Sequence, residues 1–156
     1  MSQTTIPSVL LALREQLTAA LPNTIVSLGP TLLNEPGTAL YIGVVDMEAP
    51  GYTNAVTFAQ SWPLATHSGP LSREEEFRVN CAVEAYDGEG DLDAALAAVG
   101  DVFEQVSAHV RESRNLGVQG VLWVNPSEDP GTLDFAQHQG GASALLLFAL
   151  NIHARL

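Results

Sequence analysis

Leu10, Leu13, Leu17 and Leu21 recur three and four positions apart, which lines them along one face of a helix over residues 7–21. Thr5 or Ile6 sits at its start and Pro7 in its first turn, where a missing amide proton costs nothing; Pro22 and Asn23 end it. A short strand at 24–28 stops at Gly29-Pro30, and the β-branched run LYIGVV predicts a second strand at 40–45. From 75 to 86 the period changes to two. Phe77, Val79, Cys81, Val83 and Ala85 fall on one face, and Arg78, Asn80, Glu84 and Tyr86 on the other, so one side of this strand is core. Residues 91–114 return to steps of four and three through Leu92, Leu96, Val99, Phe103, Val106 and Val110. Asp91 and Asp93 in the first turn and Arg111 and Arg114 in the last suit the dipole of that helix, and Gly117 fits a cap beyond it. Strands follow at 118–125 and 143–153, the last apolar on both faces from Ala144 to Leu150, as in the middle of a sheet. The stretches 46–70 and 126–141 lack either period; the first reads as a functional loop or a long projecting hairpin, the second as an irregular polar segment. The order α-β-β-(long loop)-β-α-β-β predicts an α+β fold, two helices packed on one face of a mostly antiparallel sheet, as a single domain over 1–156.

Charge narrows the function classes. Six arginines stand against 18 acidic residues, with no lysine, for a net charge of −12. Such a chain lacks the cations with which nucleic-acid binders neutralise phosphates. Between Glu74 and Glu104 there are ten acids and one arginine, a local charge of −9. Cys81 has no cysteine partner, so no internal disulfide forms, and its place in the alternating strand makes it a small buried hydrophobe. The amino terminus has no basic region followed by an apolar run, and the longest apolar stretch, residues 144–150, is far below the roughly 20 residues of a spanning helix, so no signal peptide and no membrane segment is expected.

Candidate chemistry meets simpler readings. The acids Asp87, Glu89, Asp91 and Asp93 alternate as in a calcium loop, but the sixth and twelfth positions hold Leu92 and Ala98 where Gly and Glu are needed. A turn whose last acids cap a helix accounts for them. His67, His109, His138 and His153 show no metal-ligand spacing, and no nucleophile elbow or phosphate loop occurs; no enzyme activity, cofactor or metal is expected. Glu74 to Glu76 read as a solvated strand entrance rather than an acid–base pair. The aromatics Tyr52, Phe58 and Trp62, and with them Phe135, fall in the irregular stretches. They are either contact anchors or residues folded back over the core.

An amphipathic first helix, a long projecting connection, the strand entrance Arg73-Glu-Glu-Glu-Phe-Arg-Val79, an acidic turn and the helix DLDAALAAVGDVFEQV together resemble the tail terminator and head-to-tail joining proteins of long-tailed, siphovirus-type bacteriophages. The resemblance spans most of the chain and rests on element order. It implies a virion structural protein, assembled in the host cytoplasm at the head–tail interface. Its subunits would close into a homohexameric ring that caps the tail tube, stops tube polymerisation and meets the head-completion protein. A stopper, an adaptor or a minor tail protein is the alternative within that class, and a small acidic ligand-binding or regulatory α+β domain the alternative outside it. On the terminator reading the contacts lie on 46–70 and 126–141. DNA passes through the ring without specific binding, and the acids Glu84, Asp87, Glu89, Asp91 and Asp93 are candidates to line its lumen, where like charge keeps DNA from sticking.

Overall fold

A computed structural model describes residues 4–30, 35–62 and 73–156. Two long strands form its spine. β4 (Glu74–Asp87) and β7 (Gly141–Arg155) pair antiparallel without a slip, from Glu74 opposite Arg155 to Asp87 opposite Ala142. Each carries two short strands end to end on its other edge. On β4 these are β2 (Gly37–Ile42), beside Cys81–Tyr86, and β3 (Val56–Ser61), beside Glu74–Val79. On β7 they are β5 (Val121–Pro126), beside Leu150–Ala154, and β6 (Thr132–His138), beside Gly141–Leu147. β1 (Ile25–Leu28) lies parallel to β2, and every other pairing is antiparallel.

Both helices cover one face. α1 (Ile6–Ala20) buries Val9, Leu13 and Leu17, and α2 (Leu92–Glu112) buries Ala95, Val99, Val102, Val106 and Val110. They pack on Leu40 and Ile42 of β2, on Phe77, Val79, Cys81, Val83 and Ala85 of β4, and on the even-numbered residues of β7 from Ala144 to Ala154. The α2 stripe is turned slightly from the sequence expectation: Ala95 and Val102 lie at its centre, while Leu96 and Phe103 sit at its margins. Short side chains at the centre let the helix approach the sheet, and Phe103 reaches over to meet the Phe148 ring edge-on at 5.1 Å. Asp91 caps α2 by accepting from the Ala94 backbone N–H at 3.1 Å.

Among the described residues, one segment covers part of the opposite face. The segment after β2 folds across it, setting Val44, Ala49 and Tyr52 against Ala39, Tyr41, Ala82 and Leu147. Asn80 ties it down, its side chain donating to the Gly51 and Asn54 carbonyls at 3.0 and 2.6 Å.

The α+β class and the packing of both helices on one face agree with the sequence. The two irregular stretches are more regular than a loop: each contains a strand, β3, which pairs antiparallel with β4 as the hairpin alternative for 46–70 requires, and β6, which the sequence did not show. Their apolar alternation is only two positions long, Val56 and Phe58 in one and Leu133 and Phe135 in the other, too short to register as a strand. Residues 63–70 of the first stretch, His67 among them, lie outside the described residues. No helix among the described residues is long and apolar enough to cross a membrane.

Cys81 faces α1 and α2 with 1% exposure, and burial pushes its thiol up to about 12. A thiolate is therefore not formed at neutral pH. Ellman's reagent is expected to leave the folded chain unmodified for hours and to titrate one thiol once denaturant is added; prompt reaction of the native protein would contradict this burial.

Candidate interaction edges

The direction of the backbone groups on β3 and β6 follows from bonds fixed at nearby positions. Asn80 donates to the Ala55 carbonyl at 3.0 Å and accepts from Gly43 and Val44, so even-numbered residues of β4 turn their N–H and C=O toward β2 and β3. In an antiparallel pair such groups alternate between partner and far side. Thr57, Ala59 and Ser61 thus bond β4, and Val56 and Phe58 direct their N–H and C=O away from it. On the other side of the sheet, Ser127 donates to the Ala149 carbonyl at 2.8 Å and Arg155 to that of Gly120 at 2.8 Å. Odd-numbered residues of β7 therefore face β5 and β6. Thr132, Asp134 and Ala136 bond β7, and Leu133 and Phe135 present their backbone outward.

The side chains follow the same logic. Phe58 stands opposite Phe77, and Phe135 opposite Ala144, both core residues, so Phe58 and Phe135 project on the helix side of the sheet. They project beyond the helices, at 63% and 58% exposure, with Leu133 at 46%. Nearly every described side chain of β3 and β6 is exposed. Each strand is joined to a single neighbour, and no strand among the described residues pairs with its outer edge. At the inner edge the fit is close: a Cβ added at Gly131, just before β6, would collide with the Leu147 carbonyl oxygen.

The aromatic candidates thus separate. Phe58, Trp62 and Phe135 are exposed, whereas Tyr52 is buried at 1% exposure, with the Arg78 guanidinium over its ring at 5.2 Å. Burial raises its phenol pKa, against the opposing pull of Arg78. Tyr52 belongs to the core on the open face, the folded-back alternative of the sequence reading. Trp62, just past β3, is met at 5.5 Å by the guanidinium of Arg73. Leu133 and Val56 were missed by the sequence reading, although each stands two residues before an exposed phenylalanine.

The acids also separate, so the −9 run between Glu74 and Glu104 is not one patch. At the start of β4, Glu74 accepts from Arg155 at 2.6 Å and approaches His153 at 3.5 Å, while Glu76 meets His153 at 2.9 Å. The Arg155 hydrogen bond, against some desolvation, holds the Glu74 carboxyl below the usual range. Glu75 departs from the solvated-edge expectation. It is fully buried on the helix face, accepting from the Thr5 N–H and hydroxyl at 2.8 Å each and from Gln60 at 2.7 Å. The lumen candidates lie toward the other end of β4, roughly 30–45 Å away at about 3.4 Å per residue. There Glu84 accepts from the Tyr41 hydroxyl, Asp87 accepts from the Glu89 N–H, Asp91 caps α2, and Glu89 and Asp93 are exposed. Among the described residues no group of three or more His, Cys, Asp or Glu is arranged to hold a metal ion.

Compared with known proteins, the chain matches no family model and no curated protein. A solved structure aligns over 97% of this chain and 96% of its own at a TM-score of 0.41 and 15% identity, a likeness too distant to bear on function.

Proposed function

We propose that this chain is a structural subunit of a head-to-tail ring, a tail-terminator-like protein that caps a phage tail tube, ends its growth and joins it to the head-completion protein. The observation that carries the reading is the pair of exposed strand edges on opposite sides of one sheet. Natural sheets usually blunt such edges with charge, proline or a covering loop. β3 carries no charged residue, and each edge strand bears an exposed phenylalanine. Two different edges on one subunit suit a heterologous contact, the kind that closes a ring by rotation. The acidic turn at Asp87–Asp93 gives such a ring one strongly negative end, suited to letting DNA pass without retention. An assembled structure with those acids on the outer rim would remove that part of the reading.

Light scattering and native mass spectrometry test the ring. The expected result is one closed species of identical subunits, formed alone or on addition of the cognate tail-tube protein, that stops tube growth. A chain that stays monomeric at high concentration, with and without tube protein, would overturn the proposal.

A further inference from the structure

We infer that the subunits join by strand addition, the β6 edge of one copy pairing antiparallel with the β3 edge of the next and Phe135 standing opposite Phe58. This rests on the ring reading and names its interface. Direction is the first argument. β3 and β6 each run antiparallel to the long strand they join, and those long strands run antiparallel to each other, so β3 and β6 point opposite ways within one subunit. A second copy added in the same orientation therefore brings its β3 antiparallel to the first copy's β6 and continues the sheet. Backbone phase is the second. The outward N–H and C=O groups belong to Val56 and Phe58 on one edge and to Leu133 and Phe135 on the other, and in antiparallel pairing outward-facing residues stand opposite each other.

Side chains supply the third argument. The outward positions hold an aliphatic residue followed two places later by phenylalanine on both strands, and all four side chains lie on the helix side. Pairing Phe58 with Phe135 places two exposed rings side by side, a cross-strand contact of the stabilising kind. No like charges meet, since β3 has none and β6 has the single acid Asp134, whose backbone faces β7. The two edges also lie at opposite ends of the spine, β3 beside Glu74–Val79 and β6 across from the stretch of β4 that ends at Asp87. Each added copy thus steps along the strands by roughly 27 Å at about 3.4 Å per residue, and a closed ring requires the strands to tilt strongly from its axis, as in a barrel.

Proline tests the edges one at a time, because Phe58→Pro and Phe135→Pro remove only an outward N–H and leave the bonds to β4 and β7 in place. Each variant is expected to stay folded by circular dichroism and to raise the protein concentration needed for assembly by about tenfold or more. Mixed together, they retain one good β6 and one good β3, so a 1:1 dimer that does not grow is expected. Phe58→Lys and Phe135→Lys serve the same purpose should a proline variant unfold. Wild-type-like assembly by either folded variant would overturn the strand pairing while leaving the ring intact. Survival of a dimer in Phe135→Pro alone would instead indicate β3 pairing with β3. A wild-type chain that never assembles would sink the ring reading, and the pairing with it.

Discussion

Replacing Glu75 by leucine is expected to cost about 3 kcal/mol of stability, a fall in melting temperature of roughly 6–12 °C for a chain of this size. Glu75 is fully buried between the start of α1, β4 and β3. Its Oε1 accepts from the Thr5 N–H and hydroxyl at 2.8 Å each, and its Oε2 from the Gln60 amide at 2.7 Å. Thr5 is the residue before α1, and this carboxylate from a distant strand accepts its backbone N–H, as the glutamate of a capping box does within a helix. Leucine fills the space but leaves the two buried Thr5 donors facing a carbon surface, their desolvation no longer compensated, while the exposed Gln60 amide turns to water. Glu75→Gln keeps the shape and one acceptor and is expected to cost less than half as much. A melting temperature for the leucine variant within about 2 °C of wild type would refute this role.

The same residue gives the acid limb of stability its sign. Burial alone would raise the Glu75 pKa, but hydrogen bonds from the Thr5 backbone and from the Gln60, Thr4 and Thr5 side chains outweigh it, and the net shift is downward. A carboxyl held lower in the folded than in the unfolded chain adds stability above the unfolded value, near 4.5, and loses it as the pH falls through the folded value. Chemical denaturation between pH 7 and pH 3 should therefore show a fall below about pH 4.5 that is shallower in Glu75→Gln. Glu74, lowered by its Arg155 hydrogen bond, leaves part of the slope in both proteins.

How much of this was legible depended on how long each pattern ran. α2 and β4 were readable because their periods persist over 21 and 14 residues. Glu75 was hidden by its neighbours: three consecutive glutamates suggest a solvated edge, although the strand's own alternation sets Glu75 on the face of Phe77 and Val79. Extending that alternation two residues back would have found it. β3 and β6 were missed for a physical reason. A strand that buries neither face has no need of a long apolar alternation, and its identity comes from the neighbour it pairs with, which lies far along the chain. Tyr52 and Phe58 sit six residues apart in the same stretch and went to opposite fates, one into the core and one outward. What decided between them was that the segment carrying Tyr52 folds back onto the open face while β3 carries Phe58 along the sheet edge, a long-range matter that local pattern does not encode.

That cover hangs on Asn80, and Asn80→Asp is expected to remove it. The side-chain amide donates to the Gly51 and Asn54 carbonyls at 3.0 and 2.6 Å, while its oxygen accepts from Arg78 Nε at 2.9 Å. Two carbonyl acceptors demand a donor there, and aspartate of the same size offers none: its second oxygen would face both carbonyl oxygens. The backbone bonds from Asn80 to Ala55, Gly43 and Val44 are untouched, so β4 stays in place while the segment over its open face loses its tie. The expected loss is about 2–3 kcal/mol. Cleavage by a broad protease within 46–54 should speed up by roughly tenfold or more, in proportion to the larger open population. Because this segment leads directly into β3, whose first bond to β4 is the Ala55–Asn80 pair, a loosened cover also lets the β3 edge wander. The variant should then assemble less well than wild type at temperatures where both remain folded. Protease resistance equal to wild type would show that Tyr52 and its neighbours hold the segment without the asparagine.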